Sequence, residues 1–527
     1  MKLLMKYSLL FFLILFFADK KIYSQVFTEQ ELDLKENAEP VILGKNDSSF
    51  IVLYNMNPSR SDVRRKFETE CFNFSFKSLW RSKQIKLPDN FSEKNAVYFQ
   101  SRVLFLNSEY DSYKQEYAYE IRKQVLSNGT LNENADTVFR IGIHEENKKL
   151  RKQSYGFDCI ASVSGNKLMF IYSNDYTDAY KEGFSFRTID KDFKLSEIKK
   201  IELIYSDPLC NIADIIYDDS ANRIYLLTKM FDIPDVKKRT VREYKLFSFD
   251  TNGNLITSVD LELTTTKLAV IKIKSNDDKI FVIGVTKSEY EKASGLVFKS
   301  INKKTFKIEN STSHLFSDSV SHVVNHESRF FKRINFAADN YDNTDFVIDE
   351  KNIYWIAEYN TFGKNRLSAA ALTGAIGAGV IMGIASGGVL IFVPAGQSKP
   401  KFLSCNLLFE KINFNGDFIS EQVIQKKEEN SLTGCISHLL LKNNSDCCIA
   451  FNYDKERENI NRNSRNHIET IVIPSNADDK NYDIKKINLK NRFLFTNASL
   501  SFKPGNFIFI TGNFDTGQMY LTNYSFH

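Results

Sequence analysis

The side chains able to do chemistry are few and scattered. His322 and His326 stand four residues apart, a spacing that puts two imidazoles on one helical face as metal ligands, with Asp318 and Glu327 as nearby oxygen donors. Polar residues on a surface between packed elements account for the same four equally well. Asp339, Asp342 and Asp345 form a second acidic group. Their spacing departs from a calcium loop, because Tyr341 takes the third position and no glycine follows at the sixth. Glu358 ends the apolar run Trp355-Ile356-Ala357, where a lone carboxylate is ordinarily solvated or paired.

No wider catalytic pattern joins these residues. The chain has no G-x-S-x-G elbow, no P-loop, no H-E-x-x-H and no C-x-x-C pair. The seven cysteines (Cys71, Cys159, Cys210, Cys405, Cys435, Cys447 and Cys448) are odd in number and sparse. Buried thiols are the default for most of them, and an exporting compartment permits one or two bridges. Cys447 and Cys448 are neighbours on a predicted strand, so their side chains point to opposite faces and share no metal. The sequence therefore names no catalytic residue, cofactor or metal ligand.

The elements that would position such residues are legible in a repeat. A polar turn followed by four to six apolar residues begins at Asn166, Asn222 and Asp278, 56 residues apart each time. Looser copies begin at Ser49, Arg102, Asn352, Asp446 and Asn506, making eight. Alternating segments such as Phe72-Asn73-Phe74-Ser75-Phe76 follow, with the period of two of a half-buried strand. Asn128-Gly129, Asn252-Gly253 and Asn415-Gly416 then mark two-residue hairpins, since Asn-Gly supplies the positive φ angles that these require.

With the strand before each copy, the unit is a four-stranded antiparallel meander that must stack to bury its faces. The expected fold is an all-β propeller of eight blades, with seven as the alternative, over residues 26–527. Two stacked β-sandwiches are the competing architecture but do not explain the 56-residue interval. After Asn506 there is room for only two strands, the second at Met519 to Phe526, so a segment near Glu29 to Lys35 is expected to complete the last sheet.

The stretch Ile348–Tyr359, in which an apolar strand runs into Glu358 and a tyrosine, resembles a segment of exported bacterial β-propeller proteins of unknown function. The repeat rhythm, the Asn415-Gly416 turn and the N-terminal leader add to that resemblance. It implies export and the fold, and it imports no activity.

The sixth repeat is interrupted by an apolar insertion over residues 364–400. Leu367 to Val393 is 27 residues without a charge. Ala371, Ala375, Gly379, Gly383 and Gly387 recur every fourth position, the small-residue stripe of close-packed membrane helices. The flanking strands, Tyr354–Tyr359 and Phe402–Phe409, are expected to be antiparallel neighbours roughly 5 Å apart. A straight helix of this length would separate its ends by about 40 Å. A hairpin docking on a membrane or partner is the first reading. An insertion folded over the propeller's own channel is the second, and a spanning helix that splits the protein is the third.

Lys2, Lys6 and the apolar run Leu9 to Phe17 form a signal peptide expected to end at Ser24, with an uncleaved anchor as the alternative. Seventy Lys and Arg against 65 Asp and Glu give +5, of which residues 1–24 contribute four lysines and one aspartate. A surface so nearly balanced offers no footprint for nucleic acid. The expectation is an exported protein of the periplasm or cell envelope, acting as a binding or scaffold module on an envelope protein or membrane surface. A glycan hydrolase or lyase with carboxylates at the channel mouth is the alternative; it would need two acids about 5 Å apart beside aromatic rings.

Overall fold

A computed structural model of the 527-residue chain describes residues 26–33, 38–56, 66–82, 85–86, 96–111, 113–114, 116–124, 129–130, 135–142, 157–173, 181–206, 209–235, 240–263, 267–288, 292–325, 343–349, 351–360, 402–430, 438–442, 446–453, 467–474, 483–487, 492–503, 506–513, 516 and 518–525. The signal peptide, Cys435, His326, Glu327, Asp339, Asp342 and the insertion with Ala371, Ala375, Gly379, Gly383 and Gly387 lie outside the described residues.

The described strands form eight antiparallel sheets, seven of four strands and one of five. In chain order they are blades 1 (residues 39–86), 2 (96–142), 3 (157–206), 4 (210–260), 5 (268–315), 6 (343–430), 7 (438–487) and 8 (492–525). Within each, consecutive strands run outward from the ring centre. The innermost strand of blade 1, Glu39–Lys45, lies beside that of blade 8, Arg492–Lys503. The chain is a β-propeller of eight blades.

All eight copies of the apolar repeat fall on the second strands, one per blade. Their continuous apolar character follows from burial on both faces. In Ser49–Asn55 every residue is buried, with Phe50, Val52 and Tyr54 packed toward blade 8 and Ile51 and Leu53 toward blade 2. In blade 4 Ile224 and Leu226 face blade 3, while Tyr225 and Leu227 face blade 5. Each of the six apolar clusters among the described residues joins two neighbouring blades, so the core lies between blades from blade 8 round to blade 6.

Ring closure matches the expectation with a shift in boundary. The strand that completes blade 8 is Val26–Leu32, three residues earlier than expected, and it pairs antiparallel with Met519–Ser525.

The Asn-Gly turns differ from the two-residue hairpins expected of them. Asp250 N donates to Asn254 O and Gly253 N to Asp250 O, leaving three residues in the loop. Only Gly253 of the dipeptide has positive φ, at 91°. This is a turn followed by a bulge, and the register shifts accordingly beside Phe249. The cause is Asp250, whose Oδ1 accepts from the backbone of Asn252 and Asn254 and so holds the wider loop. Asn73, Asp190 and Asn413 build the same turn, with Phe76, Phe193 and Gly416 in the left-handed position. Asn302 builds a version one residue longer, ending at Phe306. Gly129 belongs to a longer connection in blade 2, and Asn128 lies outside the described residues.

These turns clip the blades together. Lys199 Nζ, on the outer strand of blade 3, donates to Thr251 O and Asn252 Oδ1 in the turn of blade 4. Thr312 Oγ1 and Asn310 Nδ2 of blade 5 donate to Gly416 O and Phe414 O in the turn of blade 6. Nearer the axis, Asp214 Oδ2 accepts from Ile273 N at 2.9 Å, tying the inner strands of blades 4 and 5. Lys274 Nζ donates to Phe346 O at 2.6 Å, tying blades 5 and 6.

Between blades 5 and 6 runs Asp318–Asn325, the one helix among the described residues. His322 is on it, but its side chain lies outside the described residues, as do those of Asp345, Cys447 and Cys448. Among the described residues no helix is long and apolar enough to cross a membrane. Cys71 is a buried free thiol whose pKa burial raises.

Candidate functional site

Blade 6 carries the insertion, and its second strand, Asn352–Asn360, pairs antiparallel with Phe402–Asn413. Asn360 stands opposite Ser404, so residues 361–401 leave and re-enter the sheet at adjacent strand ends. Glu358 is fully buried on this strand, opposite Asn343 on one side and Leu407 on the other. It is an interior group and does not open onto a channel mouth.

On the far side of the same blade three ligand-type side chains converge. Glu410 lies on the third strand and Glu421 on the outer strand, Phe418–Asn430, directly opposite it in the ladder. His314 reaches them from Ile308–Leu315, the outer strand of blade 5. Its Nε2 is 3.4 Å from Glu421 Oε2, and one ligand atom from each of the three lies within 4.8 Å of the others.

The local sequence explains the placement. Leu408, Glu410 and Ile412 share one strand face, and Leu408 and Ile412 pack with Phe298, Phe346 and Trp355 in the blade 5–6 core. Trp355 is the cross-strand partner of Glu410 on the side away from Glu421. Glu410 is therefore a carboxyl group in an apolar interface, with no exposed surface and no hydrogen-bond partner for either oxygen. Burial, and then the neighbouring Glu421, push its pKa well above the ordinary carboxylate range.

Its neighbours are better supplied. Both Glu421 oxygens accept from Ser317 N at 3.3 Å, at the entry to the helix. The His314 ring stacks on Phe418, with centroids 4.8 Å apart and planes at 23°. Glu421 and His314 keep 12% and 30% of their side-chain surface in solvent, while His314 Nε2 itself is buried beside the two carboxyl groups.

The Glu410–Glu421 opposition has a signal in the sequence. Counting outward from Asn415-Gly416 as a two-residue turn brings positions 410 and 421 together, and in the observed three-residue loop the bulge between Lys411 and Ile412 restores that pairing. Nothing in the sequence points to His314, which belongs to another blade. The arrangement can hold a proton or a cation. It does not suit glycoside cleavage, because the pair lies on the third and outer strands, away from the ring centre.

No protein-family model matches the chain, and no curated protein matches it in sequence. Solved structures resemble it at low identity. The WD40 domain of SCAP from fission yeast is 8% identical with a TM-score of 0.39, covering 95% of this chain and 98% of that one. The β-propeller domain of the Trilobed protease from Pyrococcus furiosus is 8% identical with a TM-score of 0.35, covering 86% and 96%. The polysaccharide lyase Uly1 is 10% identical with a TM-score of 0.34, covering 61% and 74%.

Proposed function

We propose that the chain is an exported, non-enzymatic propeller that serves as a binding or scaffold module of the cell envelope, with the apolar segment Leu367–Val393 as its docking element. The observation that supports this reading is the pairing of Asn360 with Ser404. The strands that bracket the segment are hydrogen-bonded neighbours, and blade 6 is whole around it. A single helix spanning a membrane would have to bring its ends back together over about 40 Å, whereas a hairpin returns to the same edge. An apolar surface of this size, left uncovered, is ordinarily an interaction site.

The glycan-active alternative draws no support from the described carboxylates. The Glu410–Glu421 pair lies between blades 5 and 6 on the third and outer strands, away from the ring centre.

Fractionation of the protein with and without residues 367–393 tests the proposal. The full chain is expected to sediment with membranes in high salt, while the deletion remains folded and stays in solution. If both forms are soluble and the deletion has lost thermal stability, the segment packs on the propeller itself and the docking role is wrong.

A further inference from the structure

From the convergence of His314, Glu410 and Glu421 we infer a binding site for one divalent transition-metal ion of the zinc class, bridging blades 5 and 6. This goes beyond the docking function and is independent of it.

The strongest ground is Glu410. A carboxylate in an apolar interior is ordinarily paired with a cation or bound to a metal. Glu410 is wholly buried with both oxygens unpartnered, and among the described residues no lysine or arginine pairs with it. Facing it across the ladder is a second carboxylate, and like charges directly opposite each other are destabilising. A cation between them removes both costs.

The donor set and the spacing suit a particular class of ion. Zinc bonds to imidazole nitrogen and carboxylate oxygen are about 2.0–2.2 Å, which makes a tetrahedral edge about 3.4 Å. The Nε2 to Oε2 separation of His314 and Glu421 is 3.4 Å. The Glu410 carboxyl group, with an oxygen within 4.8 Å of both, is the third donor and would draw in on binding. One nitrogen and two oxygens fit zinc, manganese or ferrous iron. They do not fit calcium, which takes six to eight oxygens, or cuprous ion, which prefers thiolate.

Supporting contacts orient two of the ligands, as metal sites require. Phe418 fixes the imidazole plane, and Ser317 N holds the Glu421 carboxylate. Three protein ligands leave one coordination position for a further ligand. An ion here would tie the outer edges of blades 5 and 6 to the start of the helix Asp318–Asn325.

The test uses the full chain, stripped with EDTA and titrated with Zn²⁺ by calorimetry and with Co²⁺ by visible absorption. One equivalent per chain is expected, with the intense d–d bands of a low-coordinate cobalt site. Glu410→Gln and His314→Gln are each expected to weaken Zn²⁺ by about 100-fold or more and to abolish the bands. Stoichiometric binding that both variants retain would place the metal elsewhere, and absence of binding to the wild type would leave Glu410 as a buried protonated acid. Either result overturns the inference. Should Glu410→Gln not fold, His314→Gln decides alone, since its side chain is at the cluster's solvent edge.

Discussion

Lys303 of blade 5 and Asp218 of blade 4, 85 residues apart in sequence, form an ion pair with 8% and 0% of their side-chain surface in solvent. The Asp218 carboxylate also accepts from Ser220 Oγ and Ala221 N, while the lysine ammonium lies 6.0 Å from the centre of the Tyr225 ring. Burial alone would raise the aspartate pKa, but Lys303 and the two further donors outweigh it and hold the pKa below the ordinary value. Lys303→Met strands that carboxylate and is expected to cost about 3 kcal/mol in urea unfolding at neutral pH. Asp218 is depressed in the folded state, so its contribution is complete above pH 3.8 and disappears as pH falls through the folded value. The gap between wild type and variant should therefore close in acid; a gap of constant size would show that the pair is not its source.

Asp214 is expected to respond to pH with the opposite sign. Burial raises its pKa in spite of hydrogen bonds from Ile273 N and Ile215 N. An acid with a raised folded pKa destabilises the fold as pH climbs from 3.8 through that pKa. Relative to Asp214→Asn, the wild type should gain stability on acidification through that window. Asp214→Ala leaves the Ile273 amide unpaired and should be about 2 kcal/mol less stable than Asp214→Asn at any pH. Parallel denaturation curves at several pH values check both statements.

Two glycines separate backbone strain from steric clash. Gly253 has φ +91°, and a Cβ there would stand 2.2 Å from Lys200 O of the neighbouring blade. Gly165 has φ +73° but open space around it. Gly165→Ala is expected to cost about 1 kcal/mol, the left-handed penalty alone. Gly253→Ala adds a collision with backbone and should cost about 3 kcal/mol or more. Equal losses for the two would mean that the blade 3–4 clip yields freely.

Deleting residues 26–33 should leave Met519–Ser525 as an exposed edge. With roughly 1 kcal/mol per ladder hydrogen bond, the loss is on the order of 5 kcal/mol, and edge-to-edge association should appear in light scattering. A monomeric deletion of unchanged stability would mean that this strand does not close the ring.

The blade plan was legible because its signal is local. The eight apolar copies are second strands, and a second strand must be apolar on both faces since it is covered on both sides. The room for only two strands after Asn506 likewise foretold a closing strand from the N-terminal side. Turn form was misread because Asp250 and Asn413 capture backbone amides from two and four residues away, a side-chain effect that the Asn-Gly dipeptide does not carry. His314 could not be foreseen beside Glu421, since blades 5 and 6 meet only after both have folded. The histidine pair and acidic cluster chosen by spacing have no described side chains beyond Asp318, which takes no part in the His314 cluster.

The pairing of Val26–Leu32 with Met519–Ser525 also sets an order of events in folding. Gln518 Nε2 donates to Glu31 Oε1 across 487 residues of sequence. The first strand can pair only once Met519–Ser525 is in place. Seven earlier sheets can form meanwhile, and their edges offer it the wrong ladder. Glu29 and Glu31, both exposed in the finished ring, place negative charge along the waiting strand, the kind of residue that discourages premature edge pairing. Glu31 thus serves twice, discouraging stray pairing before the ring closes and accepting from Gln518 once it has.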